Sequence, residues 1–193
     1  MRVNSITIDN FYEDPMMVRE FALKQEFKVR GNHPGQRTVS FLDEDIKQKL
    51  RDILYPFAGE ITDWGGIHSG SFQYTISTDR SWIHCDGLSN WAAVCYLTPN
   101  APVTSGTGIF KHRETGWTNF DYKRINDSEY LKQAPSQNES NDYSKWELVD
   151  RIGNVFNRIV LYRADNFHVS LDYFGNNMYD GRLFQVFFLN TEK

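Results

Sequence analysis

The sequence predicts an antiparallel β-sandwich or barrel behind an N-terminal helical region, and three observations predict it. First, short runs rich in aromatic and β-branched residues recur with turns between them: GSFQYTIST, SWIHCD, NWAAVCYLT, GTGIFKH, NRIVLYRAD, FHVSLDYF and GRLFQVFFLN. Second, aromatic residues make up 15% of the 193-residue chain, a share that favours strands around an aromatic-lined interior. Third, apolar residues recur at helical spacing in two segments before residue 60, over about 14–26 and from Asp43 to before Pro56.

Taken in order, residues 3–9 (VNSITID) alternate well enough for a first strand. Asp14-Pro15 reads as an N-cap followed by proline at the first helical position, and Met17, Phe21 and Leu23 extend a helix over about 14–26. Residues 30–40 (RGNHPGQRTVS) read as loop. A second helix starts near Asp43 with acids in its first turn. It carries Ile46, Leu50, Ile53 and Leu54 on one stripe and ends before Pro56 and Gly59. Between about 113 and 150 the strand pattern lapses. APSQNESNDYS is polar enough for a loop or insertion, and SKWELVDRIGN suggests a short helix. The chain is thus expected to be one domain over 1–193. Residues 1–60 give helical support, and 61–193 give the β core with a long insertion at about 113–150.

Composition narrows the function. A formal net charge of −4 argues against binding a nucleic-acid backbone. No run approaches the roughly 20 apolar residues of a membrane helix. Acids stand in MRVNSITIDNFYEDP where a signal peptide would be apolar, so a soluble, cytoplasmic protein is expected. Cys85 and Cys95 are too few for a disulfide scaffold.

The sharpest local feature is His84-Cys85-Asp86. On a strand, residues i and i+2 share a face, so His84 and Asp86 project together and Cys85 points away. Alone, the pair is also what a surface histidine beside an acid looks like. His168 follows Asp86 by 82 residues (168 − 86), on a later run able to close a site opened by the earlier one. Two imidazoles and one carboxylate make the facial triad of non-haem Fe(II) oxygenases, which leaves three coordination positions open. Arg182 opens the last run on the face of Phe184, Val186 and Phe188. A guanidinium there either meets an anionic partner, for which a carboxylate-bearing ligand is suited, or caps the strand from its exposed end.

With His84, Asp86, His168 and then Arg182 fourteen residues on (182 − 168), the chain resembles the Fe(II)/2-oxoglutarate-dependent oxygenases. Within them it is most similar to the prolyl-4-hydroxylase-like branch. FQYTISTDRSWIHCD resembles that branch's strand with a Tyr about ten residues before the first ligand, here Tyr74. NWAAVCYLTP, GTGIFKH and NRIVLYRADNFHVS resemble its following segments, and the resemblance covers about residues 70–190. It implies a double-stranded β-helix (jelly-roll, cupin-like) core. It also implies that His84, Asp86 and His168 hold Fe(II), that Arg182 pairs with the distal carboxylate of the co-substrate 2-oxoglutarate, and that Tyr74 hydrogen-bonds it. The implied reaction uses O2 to hydroxylate a small molecule or protein side chain, releasing succinate and CO2. An Arg stands where that branch often has Lys, and the interval before NRIVLY is long. Two other readings are a cupin-like metal-dependent dioxygenase that does not use 2-oxoglutarate, and a non-enzymatic jelly-roll binding module.

Other residues carry weaker signals. His68 sits in a Gly-rich turn and reads as structural or solvated, His112 as a surface group near the sandwich mouth, and His33 as uninformative. Trp82 and Trp91 read as packing. Trp117, Phe120 and Tyr122 read either as packing or as a substrate surface. Arg163 and Asp165 form either an ion pair or an orienting contact for His168.

Overall fold

Most of the aromatic and β-branched runs become strands of two facing antiparallel sheets in the computed structural model, which describes residues 2–192, whereas SWIHCD forms only an isolated bridge at His84. Their strands are β1 (Ser5–Ile8), β2 (Gln36–Ser40), β3 (Ile61–Asp63), β4 (Ser71–Thr75), β5 (Trp91–Tyr96), β6 (Thr107–His112), β7 (Trp146–Ile152), β8 (Ile159–Arg163), β9 (Phe167–Ser170) and β10 (Arg182–Thr191). The larger sheet has the order β1-β8-β5-β10-β4-β2, with β3 also on β10, and the smaller has the order β7-β6-β9. Neighbours in these sheets are distant in sequence, as in the double-stranded β-helix.

Register decides which residues face the interior. Arg182 lies opposite Thr75, Phe184 opposite both Gln73 and Tyr96, and Val186 opposite Val94. These side chains, with Val160 and Tyr162 of β8, form the inner face toward the smaller sheet. The alternate residues Leu183, Phe187 and Leu189 point the other way. There they join Leu97, Leu161 and the helices in a second core. Helices α1 (Pro15–Leu23) and α2 (Glu44–Ala58) cover that outer face. A fully buried Leu such as Leu50 or Leu54 contributes roughly 1.5–3 kcal/mol there.

Four expectations are corrected. The α1 stripe is not the buried one: Met17 and Phe21 are exposed, while Ala22 and Arg19 are buried. Arg19 is held by donating to the carbonyls of Leu97 (2.8 Å) and Tyr179 (2.6 Å). Helix α2 runs through Pro56, because burial of Ala58 extends it one turn before Gly59 stops it at φ 76°. Residues 36–40, expected as loop, form β2 on the edge of the larger sheet. Residues 146–152, expected as helix, form β7, because β6 offers a free edge that outweighs the helix preference of Glu, Leu and Arg.

Candidate metal centre

The segment carrying His84 pairs with β9 in an antiparallel bridge. The His84 N–H donates to the His168 carbonyl at 3.0 Å, and the His168 N–H returns the bond at 2.8 Å. This reciprocal pair sets the two rings side by side, 4.5 Å apart. The Asp86 N–H donates to the Ala164 carbonyl at 2.7 Å. Its carboxylate lies 3.8 Å from His84 Nε2 and 3.5 Å from His168 Nε2. One ligand atom from each of the three residues falls within 4.8 Å of the others.

Both imidazoles are oriented from behind. His84 Nδ1 contacts the Trp82 carbonyl at 2.8 Å, and His168 Nδ1 contacts the Asn166 carbonyl at 2.8 Å. A carbonyl oxygen only accepts, so each Nδ1 donates and each Nε2 presents its lone pair toward Asp86. The orienting groups are therefore backbone carbonyls. Arg163 and Asp165 make a long ion pair at 3.8 Å, and Asp165 pairs more tightly with Arg2 at 2.9 Å.

Burial, followed by the neighbouring His84, pushes His168 down to about 4, so its imidazole is neutral at physiological pH. That is the form a metal binds. The shift also makes a stability prediction. Unfolded, His168 takes up a proton below about pH 6.5, whereas folded it resists until about 4. The stabilisation is therefore complete above pH 6.5 and is lost as pH falls toward 4, by up to about 3 kcal/mol. Urea melts of the metal-free protein across this window should show the loss, and His168→Gln should flatten it.

Arg182 stands on the same inner face and is fully buried. Its Nε donates to the Ser105 carbonyl at 2.9 Å, and its guanidinium carbon lies 4.4 Å from the Phe184 ring centroid and 5.2 Å from that of Tyr96. Neither Nη1 nor Nη2 has a partner among the described residues, and Thr75 Oγ1, on the residue opposite, is buried and equally unpartnered. The strand-capping reading is thereby excluded: the charge faces inward. Such a charge is costly unless an anion joins it.

Tyr74 lies elsewhere. It is opposite Leu183, on the outer face, and packs edge-on against Phe27 at 5.0 Å within the helix-side core. Two tyrosines do face inward: Tyr96, beside the Arg182 guanidinium, and Tyr162, whose ring lies 4.7 Å from that of His168. Burial raises the Tyr162 phenol well above its ordinary value; Asp86 adds to the shift and Arg182 opposes it. This residue sits on an unbroken apolar run, and only the register distinguishes it from its neighbours.

The insertion supports the site from outside. Trp117 stacks on Tyr130 at 4.6 Å and Phe120 packs edge-on against Tyr130 and Tyr122, so this aromatic set is packing. The Tyr122 hydroxyl donates to the Cys85 carbonyl at 3.1 Å, between the two ligands His84 and Asp86. Gly87 lets it approach, since a Cβ there would lie 2.6 Å from the Tyr122 ring. His112 is buried against Trp146 at 4.9 Å and bonds Thr115 at 3.0 Å, so it is neither a surface nor a substrate group. Its place on β6, beneath β7, explains the difference.

The two sheets define a fold, the double-stranded β-helix, which solved 2-oxoglutarate-binding proteins share. The chain is similar to HygX from Streptomyces hygroscopicus, solved with nickel and 2-oxoglutarate bound. The TM-score is 0.61 at 10% identity, over 95% of this chain and 81% of that one. It is also similar to SnoN, a non-heme α-ketoglutarate-dependent epimerase from nogalamycin biosynthesis. Here the TM-score is 0.52 at 12% identity, over 97% of this chain and 79% of that one. A family model matches residues 2–183, and the chain belongs to that family, a family of unknown function (DUF6445). No curated protein matches the sequence.

Proposed function

We propose that the chain is an Fe(II)- and 2-oxoglutarate-dependent oxygenase that hydroxylates a small molecule or a protein side chain with O2. His84 and His168 through Nε2, and Asp86 through its carboxylate, would hold the iron. Arg182 would bind the distal carboxylate of 2-oxoglutarate. The observation that carries this reading is the Arg182 guanidinium, fully buried with both Nη atoms unpartnered and facing the same interior as the triad. The donor set suits the groups: two neutral imidazoles and a carboxylate for a borderline divalent metal, a planar fork for a carboxylate. A metal centre without an acidic co-substrate leaves that guanidinium without a partner, and a binding module without a metal leaves the converging triad without a purpose.

When bound, iron and 2-oxoglutarate supply an oxidant able to attack an unactivated C–H bond, with succinate and CO2 as co-products. The protein's own residues bind, orient and keep water away. The Trp82 and Asn166 carbonyls fix the ligand rings. Arg182 would set the orientation of the co-substrate, and Tyr162 would offer a protonated phenol beside His168. The apolar wall of Val94, Val160, Phe184 and Val186 limits access of water to the centre. Anaerobic co-titration with Fe(II) and 2-oxoglutarate tests the reading.

A further inference from the structure

A second buried guanidinium lies near the metal ligands and has no role in the reading above. Arg37 on β2 lies opposite Gln73 on the inner face of the sheet edge and is 7% exposed. Its Nε donates to Gln73 Oε1 at 2.8 Å and its Nη2 donates to the same oxygen at 2.5 Å. Gln73 is itself held by donating to the Pro34 carbonyl at 2.6 Å. A guanidinium has five N–H donors in a planar fork. Gln73 takes Nε and Nη2 on one side, and Nη1 has no hydrogen-bond partner among the described residues. Gln73 is also neutral, so it orients the charge without balancing it.

Arg37 lines a cavity of about 690 Å³, which it shares with His84, Asp86, Trp82 and Phe188. His33 and His68 line it too, and each has a buried ring nitrogen, Nε2 and Nδ1 respectively, with no partner among the described residues. Burial lowers Arg37 to about 10, with Asp86 opposing, so it stays cationic at neutral pH. Asp86 acts on it only from a distance, and no ion pair joins the two among the described residues. The volume is that of a small-ligand pocket.

We propose that Arg37, flanked by His33 and His68, binds the carboxylate of a small-molecule substrate and sets its carbon skeleton against Trp82 and Phe188 beside the metal ligands. The inference rests on the oxygenase reading and adds to it the class of substrate: an organic acid with an apolar or aromatic body.

Benzoate and its neutral isostere benzamide test it. Ligand-observed NMR titrations use protein loaded with Zn(II) and saturating 2-oxoglutarate, and in parallel metal-free protein. Benzoate should bind saturably in both, benzamide at least tenfold more weakly, and Arg37→Met should weaken benzoate at least tenfold while Arg37→Lys retains part of the affinity. Equal binding of benzamide and benzoate, no benzoate binding, or unchanged benzoate affinity in Arg37→Met overturns the proposal. So does displacement of benzoate by 2-oxoglutarate, which would put it at Arg182. The benzamide comparison uses wild-type protein and so does not depend on a variant folding. Absence of 2-oxoglutarate binding in the same samples counts against the co-substrate reading alone, because benzoate is also measured without metal.

Discussion

Arg182→Met is expected to weaken 2-oxoglutarate binding about 30-fold or more and, in the same protein, to leave the ligand-free fold as stable as before or more so. The first effect follows from removing one partner of a desolvated charge pair, which costs about 2–5 kcal/mol, where 1.4 kcal/mol is tenfold. The second follows because Arg182 is fully buried with two unpartnered Nη atoms, a burden when no carboxylate is bound. Replacing such a charge with an apolar side chain of similar length removes its desolvation cost, although the Nε bond to Ser105 is also lost. Isothermal titration of 2-oxoglutarate onto the Mn(II)-loaded protein measures the first effect, and thermal melts of the metal-free protein measure the second. A guanidinium kept only for structure would give the opposite pair: unchanged 2-oxoglutarate affinity and a lower melting temperature.

Asp86→Ala is expected to lower divalent-metal affinity by well over 100-fold. Removing a mere orienting partner of a metal ligand already costs about 10–100-fold, and Asp86 is the only carboxylate of the three-residue group. The readout is the stabilisation that metal confers. A wild-type site at 100 times its Kd gains about 2.7 kcal/mol, and the variant should gain almost nothing at the same concentration. Retention of the wild-type metal-induced shift in Asp86→Ala would remove this residue from the ligand set.

Much of this architecture was legible in the sequence. Aromatic and β-branched runs marked β4, β5, β6, β8, β9 and β10, and the order His84, Asp86, His168 picked out three residues whose ligand atoms the fold gathers within 4.8 Å, with Arg182 on the inner face of β10. The failures share a cause. Sequence gives the period of a strand but not its register, and a one-residue difference turns a side chain to the other face. Thr75, not Tyr74, is opposite Arg182, so the tyrosine ten residues before the first ligand packs on the helices. Arg37 escaped notice because its strand is short, lies on an edge and follows a Gly- and Pro-containing segment that reads as loop. Strand β7 and the buried His112 depended on pairing that no local pattern reports. Partners distant in the chain decided each of these positions.

The reading of Arg182 and the triad converges on one measurement. Under strict anaerobiosis the metal-free protein is titrated first with Fe(II) and then with 2-oxoglutarate, and its visible absorption is followed. The account predicts a weak charge-transfer band that appears only when both are present and saturates at one equivalent of each. A well-folded protein that binds Fe(II) yet gives no band on addition of 2-oxoglutarate would contradict it.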